Sequence, residues 1–162
     1  MTKTIVGIGG LAATNTPGDS IRTLALGSCI AVVLLHPRTR TVGMVHIALP
    51  NSSTNIKKSQ SKPGSFVDTG IPALIKIMQE NGCDNNIKSF RIKIAGGASV
   101  LDPNNVFNIG KNNLIVAKNL LWSLGTGAVS EDTGENISRN VEVEVDTGKV
   151  TISSAGRGSW KI

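Results

Sequence analysis

The sequence predicts a domain of the α/β or α+β class, built as a layered sandwich of mixed or antiparallel β-sheets with two main helices. Two observations lead to this fold class. Many short, β-branched apolar runs lie between turn residues, and only two segments space their apolar residues as a helix does. Because 162 residues is also the usual size of one domain, we expect a single domain over residues 1–162.

The composition is that of a globular protein rather than a membrane-spanning one. Hydrophobic residues make up 40% of the chain and charged residues 17%. The longest apolar stretch, residues 24–35, is interrupted by Gly27 and Ser28 and falls short of the roughly 18 residues that a membrane helix requires. The N-terminus lacks the apolar core of a signal peptide, so we expect a cytoplasmic protein with two free thiols and no direct membrane insertion.

The net charge of +6 suits an acidic partner. The basic residues are scattered in ones and twos, and an aromatic content of 3% without tyrosine leaves almost no surface on which bases could stack. These features argue against nucleic-acid binding.

The N-terminal third should begin with a short strand. Residues 3–8 alternate and end at a Gly-Gly pair, whereas residues 11–20 are small or polar and predict a loop. Residues 21–26 can be extended again, and Gly27 then gives the chain a place to bend.

Two apolar runs on either side of Pro37 predict an antiparallel hairpin. In a four-residue loop, Leu35 lies opposite Arg40. Continuing this pairing sets Cys29 directly opposite His46, with Cβ atoms about 4.5 to 5.5 Å apart. A five-residue loop would place the two side chains on opposite faces of the sheet.

Cys29 and His46 are either a cysteine nucleophile with its base or a small core residue near a buried imidazole. The other histidine, His36, stands beside Pro37 at the turn and is expected to be exposed. Residue types alone leave the choice open.

Thr23 could join this pair only if the backbone bends. It lies six residues before Cys29, which in a straight strand corresponds to about 20 Å. A turn at residues 26–28 would bring its hydroxyl back toward His46. Without that turn, Thr23 is an ordinary strand residue.

The middle of the chain predicts two helices separated by a strand. The first helix follows an exposed polar loop over residues 51–65. It is expected to be capped by Asp68 or Thr69 and to end at an Asn-Gly pair. The second helix covers residues 109–124. Residues 90–95 form the strand between them.

The strand at residues 90–95 runs into Gly96 and Gly97, and the sequence there is neither a Walker motif nor a dinucleotide-binding motif. We therefore expect a tight turn near the site. Cys83 should be an incidental thiol in a polar setting. Two cysteines and two histidines at these spacings do not form a zinc pattern, and we predict no metal and no cofactor.

The C-terminal part has the clearest hairpin pattern in the chain, over residues 140–154 with a turn at residues 146–149. Residues 128–132 predict one further strand. Trp160 should pack the C-terminal tail onto the core.

Several sequence elements occur together in the order of one known family. They are Leu26-Gly27-Ser28-Cys29-Ile30-Ala31-Val32, Pro37, Gly43-Met44-Val45-His46 with Leu49-Pro50, residues 66–74, Ile94-Ala95-Gly96-Gly97-Ala98, Ile109-Gly110 with Asn113, and residues 146–150. Over nearly the whole chain the sequence resembles the CheD family of chemoreceptor glutamine deamidases. It departs from the family at Ala95, where an aromatic residue is common, at Asn112, where arginine is frequent, and in residues 134–139, which replace a Gly-Arg segment.

The resemblance implies that Cys29, His46 and Thr23 are the catalytic residues. Cys29 would attack the carboxamide carbon of a receptor glutamine to form a thioester, His46 would transfer the protons, and Thr23 would orient His46. An adjacent imidazole would raise the thiolate population of Cys29. Backbone N–H groups around Ser28 and Cys29 would stabilise the oxyanion, and Gly27 and Ser28 would shape the site.

Two functions from different classes remain open. One is a cysteine-dependent protein-glutamine deamidase in bacterial chemotaxis, acting on methyl-accepting chemotaxis receptors. The other is a non-catalytic module that binds a CheC-type phosphatase, a partner that the resemblance implies.

Overall fold

The structure, a computed structural model, describes residues 1–100 and 107–162. Within these residues the backbone forms two five-stranded sheets, with strand orders β1-β3-β8-β9-β10 and β2-β5-β4-β6-β7. The strands are β1 Lys3–Ile5, β2 Leu11–Thr14, β3 Ser20–Leu26, β4 Ile30–His36, β5 Thr41–Ile47, β6 Arg91–Gly96, β7 Ser130–Thr133, β8 Arg139–Glu144, β9 Val150–Ser154 and β10 Gly158–Lys161.

Two long helices, α2 Val67–Glu80 and α3 Ile109–Ser123, cover the outer face of the second sheet. A short helix, α1 Ile56–Ser61, precedes α2, and 3-10 turns lie at Ser52–Thr54, Pro63–Ser65 and Ile87–Ser89. Buried residues of α2 and α3 form one apolar cluster with strands of the second sheet, and a second cluster lies between the two sheets. The predicted fold class, a layered α+β sandwich with two main helices, is confirmed.

Strand β4 is buried along its whole length because both of its faces are covered. Ile30, Val32 and Leu34 belong to the helix-side cluster, whereas Ala31, Val33 and Leu35 belong to the cluster between the sheets. Strand side chains alternate between faces, so on β5 the face that carries Met44 toward the first sheet also carries His46. The imidazole is therefore directed between the two sheets.

The β4–β5 hairpin has the expected loop length but a different register. Its loop is residues 37–40, and its first pairs are His36 with Thr41 and Leu35 with Val42, not Leu35 with Arg40. Consequently His46 pairs with Ala31 instead of lying directly opposite Cys29. The register differs from the expected one by two residues, and an even shift keeps Cys29 and His46 on the same face.

The predicted loop over residues 11–20 was wrong in its first part. Leu11–Thr14 forms β2 and pairs with β5, which closes that edge of the second sheet. The first predicted strand is also shorter than expected and ends at Ile5. The small side chains of this segment gave no strand pattern in the sequence. The strand is stabilised by its backbone hydrogen bonds to β5.

Helix α2 begins at Val67, slightly earlier than predicted, and neither expected capping side chain caps it. Asp68 accepts hydrogen bonds from the backbone N–H of Ser52 and from its hydroxyl, at 2.9 and 2.7 Å. The hydroxyl of Thr69 donates to the carbonyl of Pro63 at 2.6 Å. Both side chains hold the segment that precedes the helix.

His36 is buried rather than exposed, with 2% of its surface accessible. Its ring packs edge-on against Phe90, and Nδ1 lies 2.8 Å from the hydroxyl of Thr39. Cys83 is likewise buried, with Sγ 3.6 Å from the same hydroxyl. The predicted exposure of His36 was wrong, because Phe90 and Cys83 pack around the pair of His36 and Thr41 that closes the hairpin.

The C-terminal hairpin has the predicted form, and β7 begins two residues later than expected. Trp160 lies in β10, packs against the cluster between the sheets and donates from Nε1 to Asp132. Among the described residues, no helix has the length and apolar character needed to cross a membrane.

Candidate active site

The chain passes from one sheet to the other over Gly27, Ser28 and Cys29. Strand β3 belongs to the first sheet and β4 to the second, so these three residues form the crossing. The change of direction begins earlier than expected. Pairing with β8 shifts register between Thr23 and Leu26, and Ala25 has a φ of 56°, in the left-handed region.

This crossing brings Thr23 to His46 across the space between the sheets. The Thr23 hydroxyl oxygen lies 2.7 Å from Nδ1 of His46 and 2.7 Å from the carbonyl oxygen of Val6. A carbonyl can only accept, so the single hydroxyl proton goes to Val6 and Nδ1 must donate to Thr23. In neutral His46 the proton therefore sits on Nδ1, and Nε2 keeps its lone pair.

The Nε2 atom of His46 is buried and has no hydrogen-bond partner within residues 1–100 and 107–162. The thiol of Cys29 therefore does not bond to it in this structure. Cys29 stands just before the first pair of the β4–β5 ladder, on the same face as His46 and diagonal to it. Diagonal positions in an antiparallel pair are about 7 to 8 Å apart, so the two side chains occupy neighbouring positions on that face.

Burial favours the neutral forms of both groups. It raises the pKa of the Cys29 thiol, although the residue's own backbone N–H partly offsets the effect. Burial also lowers the pKa of His46, against the opposing effect of the Val6 carbonyl. The resting pair is thus a thiol and a neutral imidazole, which differs from the thiolate expected from the sequence.

All three carbonyls of the crossing are held by hydrogen bonds. The backbone N–H of Ala98 donates to Gly27, and that of Gly97 donates to Cys29, both at 2.9 Å. The Ser28 carbonyl accepts from Nδ2 of Asn113 at 3.0 Å. The N–H groups of Ser28 and Cys29 donate to no other described residue. Within the described part of the chain, the only acceptor for these two donors is thus the Cys29 thiol itself.

The Gly-Gly turn after β6 lies directly against the crossing, as its sequence suggested. Gly96 has a φ of 102°, and a Cβ at this position would collide with the carbonyl of Cys29. A side chain would separate the two segments, which explains why glycine stands here. Ala95, where the related family often carries an aromatic residue, is buried next to Ala31.

Asn113 is the residue whose contribution the sequence reasoning missed. It was noted only as part of a motif, yet its buried side chain contacts the crossing. The available signal was its spacing, because Asn113, Ala117 and Leu121 lie on one buried helix face. A polar residue in such a row needs a specific hydrogen-bond partner.

The described residues include no group of three or more histidine, cysteine or acidic side chains placed to hold a metal ion. The arrangement consists of a thiol, an oriented imidazole and two backbone donors. These groups together can perform nucleophilic acyl chemistry.

Comparison with known proteins gives consistent matches. The family model described as CheD chemotactic sensory transduction matches residues 48–154. "Probable chemoreceptor glutamine deamidase CheD" of Syntrophotalea carbinolica is 46% identical over 162 residues, covering 100% of both chains. "Chemoreceptor glutamine deamidase CheD" of Thermotoga maritima is 36% identical over 156 residues, covering 96% of this chain and 94% of the relative.

A third relative, "Probable chemoreceptor glutamine deamidase CheD 1" of Syntrophus aciditrophicus, is 42% identical over 156 residues and covers 96% of each chain. Among solved structures, the Bacillus licheniformis hypothetical protein YfiH matches with a TM-score of 0.45 and 11% identity, over 76% of this chain and 49% of that chain. The full-length relative from Syntrophotalea carbinolica extends over the crossing and the hairpin, which the family model, beginning at residue 48, does not reach. On that full-length similarity, the chain belongs to the CheD family.

Proposed function

We propose that this protein is a chemoreceptor glutamine deamidase that hydrolyses glutamine side-chain amides through a thioester on Cys29. One observation carries the proposal. Thr23 fixes the Nδ1–H form of His46. The lone pair of Nε2, which has no partner among the described residues, can then act as a base on the same face as Cys29. The relatives named as chemoreceptor glutamine deamidases support the choice of substrate.

The first half of the reaction forms the thioester. As Sγ of Cys29 attacks the carboxamide carbon, the thiol proton moves to Nε2 of His46 and the carbonyl oxygen becomes an oxyanion. When the tetrahedral intermediate collapses, the imidazolium returns that proton to the leaving nitrogen and ammonia departs.

The second half restores the enzyme. Nε2 of His46 takes a proton from water while the water oxygen attacks the thioester carbon. Collapse of this intermediate breaks the carbon–sulfur bond, the proton returns to Sγ, and glutamate is released. The N–H groups of Ser28 and Cys29 stabilise the oxyanion in both halves, and one such donor contributes about 3 to 4 kcal/mol in other enzymes.

General-base catalysis fits the resting charges better than a preformed ion pair. Burial raises the Cys29 pKa and lowers the His46 pKa, so both groups begin uncharged. The proton then moves during the attack, when Cys29 and the substrate carbon have come together.

The protein surface suits a protein substrate. Leu24, Leu49 and Val100 are exposed apolar residues on the segments that carry or adjoin the site, where a receptor helix could pack. The net charge of +6 favours acidic receptor helices. We place this activity in the cytoplasm and expect a CheC-type phosphatase to be a further partner.

Deamidation of a purified receptor fragment tests the proposal. Mass spectrometry should detect glutamine-to-glutamate conversion with the wild-type protein and with Cys83→Ala, but not with Cys29→Ala. Hydroxylamine should convert the thioester to a glutamyl hydroxamate. Unchanged conversion by Cys29→Ala would eliminate Cys29 as the nucleophile. A wild-type protein that binds a CheC-type phosphatase but converts no glutamine would favour the non-catalytic module.

A further inference from the structure

The side chain of Asn113 joins two segments of the candidate site. It is fully buried in α3, and its Nδ2 donates to the carbonyl of Ser28 at 3.0 Å and to the carbonyl of Ala48 at 3.1 Å. Ser28 belongs to the crossing that carries Cys29, and Ala48 directly follows the strand that carries His46. One amide group thus connects the nucleophile segment to the base segment.

These contacts fix which end of the amide faces the site. Both neighbours are carbonyl oxygens, so only the NH₂ group can bind them, whereas Oδ1 in that place would be repelled. Oδ1 itself is buried without a partner in the described part of the chain. The orientation of Asn113 is therefore set by its two donated bonds.

Holding the Ser28 carbonyl also aims the Cys29 N–H. The two groups belong to the same planar peptide unit, and in a trans peptide they point in opposite directions. No cis peptide occurs among the described residues. When Asn113 draws the carbonyl toward α3, the N–H of Cys29 must point away from α3, where it remains free of other described residues.

We propose that Asn113 is a positioning residue that orients the Ser28–Cys29 peptide so that the Cys29 N–H stabilises the oxyanion. This inference rests on the proposed deamidase function. Asn113 is 0% exposed and therefore acts through the peptide without touching the substrate. The helix that carries Asn113 is held close to the site. Helix α3 packs so tightly on the Gly-Gly turn that a Cβ on Gly110 would lie 2.6 Å from the backbone of Gly97.

The test separates oxyanion stabilisation from thiol reactivity. In Asn113→Ala the peptide loses its anchor, and kcat for deamidation should fall on the order of 10- to 100-fold, less than the effect of deleting a donor outright. KM should stay within about twofold. Alkylation of Cys29 by iodoacetamide forms no oxyanion, so its rate at a fixed pH should also stay within about twofold. Asn113→Leu keeps a similar volume without the donors and should behave like Asn113→Ala.

Asn81→Ala is the matched control, since Nδ2 of Asn81 donates to the carbonyl of Ile77 at the far end of α2. It should keep wild-type kcat, and the slow alkylation of buried Cys83 reports on the fold of every variant. Wild-type kcat in Asn113→Ala would overturn the inference and leave the proposed function intact. The inference would also be overturned if Asn113→Ala lost deamidation and Cys29 alkylation to the same extent, or if both Asn113 variants failed to fold. A wild-type protein without deamidase activity would overturn both proposals.

Discussion

The hydroxyl of Thr23 lies 2.7 Å from Nδ1 of His46, although the two residues belong to opposite sheets of the sandwich. The same hydroxyl donates to the Val6 carbonyl, so one threonine sets both the position and the tautomer of the imidazole. The site thus depends on how the two sheets are packed as well as on the hairpin that joins Cys29 to His46.

Thr23→Val should reduce kcat by about 10- to 100-fold, equivalent to about 1.4 to 2.7 kcal/mol. Valine has a similar shape but cannot accept from Nδ1 or donate to Val6, so the imidazole loses its fixed tautomer. Deamidation of a receptor fragment measures the effect. Thr23→Ser keeps the hydroxyl and should retain most of the activity. Equal activity in the two variants would mean that the hydrogen bond does not orient His46.

The pH dependence of kcat/KM should show a broad plateau. In the proposed mechanism, the reactive form contains neutral His46 and protonated Cys29. Burial lowers the His46 pKa, so the acid limb should lie below the usual value of about 6.5. Burial raises the Cys29 pKa, so the alkaline limb should lie above the usual value of about 8.5.

The plateau can be checked against the alkylation rate of Cys29. That rate should keep rising with pH beyond about 8.5, because the thiolate fraction increases until the pH exceeds the raised pKa of the thiol. An alkylation rate that levels off below neutral pH would indicate a preformed thiolate. That result would contradict general-base deprotonation by His46.

Arg139→Leu should destabilise the protein by about 3 to 5 kcal/mol in urea unfolding. The guanidinium is fully buried and donates to Asp132 at 2.8 Å and to the Gly134 carbonyl at 2.9 Å. Its removal leaves a largely buried carboxylate without its cation. The matched control is Lys118→Met, which breaks an exposed ion pair with Glu131 on the same strand as Asp132. The control should cost at most about 1 kcal/mol, and equal losses would contradict the argument.

Local pattern was sufficient to predict α3 and the C-terminal hairpin. The sequence predicts a helix over residues 109–124, and the structure has it at Ile109–Ser123. The spacing of the apolar residues indicates the helix, and the glycine that follows indicates where it ends. The hairpin of β8 and β9 alternates so regularly that only one pairing buries its valines.

Features that depend on tertiary contacts were not accessible in the same way. Strand β2 reads as a loop because its side chains are small, and its pairing with β5 supplies the stability. The register of the β4–β5 hairpin was misplaced by two residues because the loop sequence does not specify which pair closes it. His36 was expected to be exposed because Phe90, which covers it, lies far away in the sequence.

The candidate site likewise contains residues that the sequence predicted and contacts that only the fold shows. The family resemblance pointed to Thr23, Cys29 and His46. Helical spacing could mark Asn113 as a buried polar residue, but only the three-dimensional structure shows which carbonyls its side chain holds. Asn113 approaches Ser28 from a position 85 residues further along the chain. Only the fold brings such a pair together.

The three candidate side chains come from one continuous stretch between Thr23 and His46, yet the atoms that set their geometry come from elsewhere. Val6 directs the threonine proton, and Asn113 holds the peptide beside the nucleophile. A graft of that stretch into another scaffold would transfer the motif without its alignment. A minimal engineered deamidase would also have to include the N-terminal segment and α3.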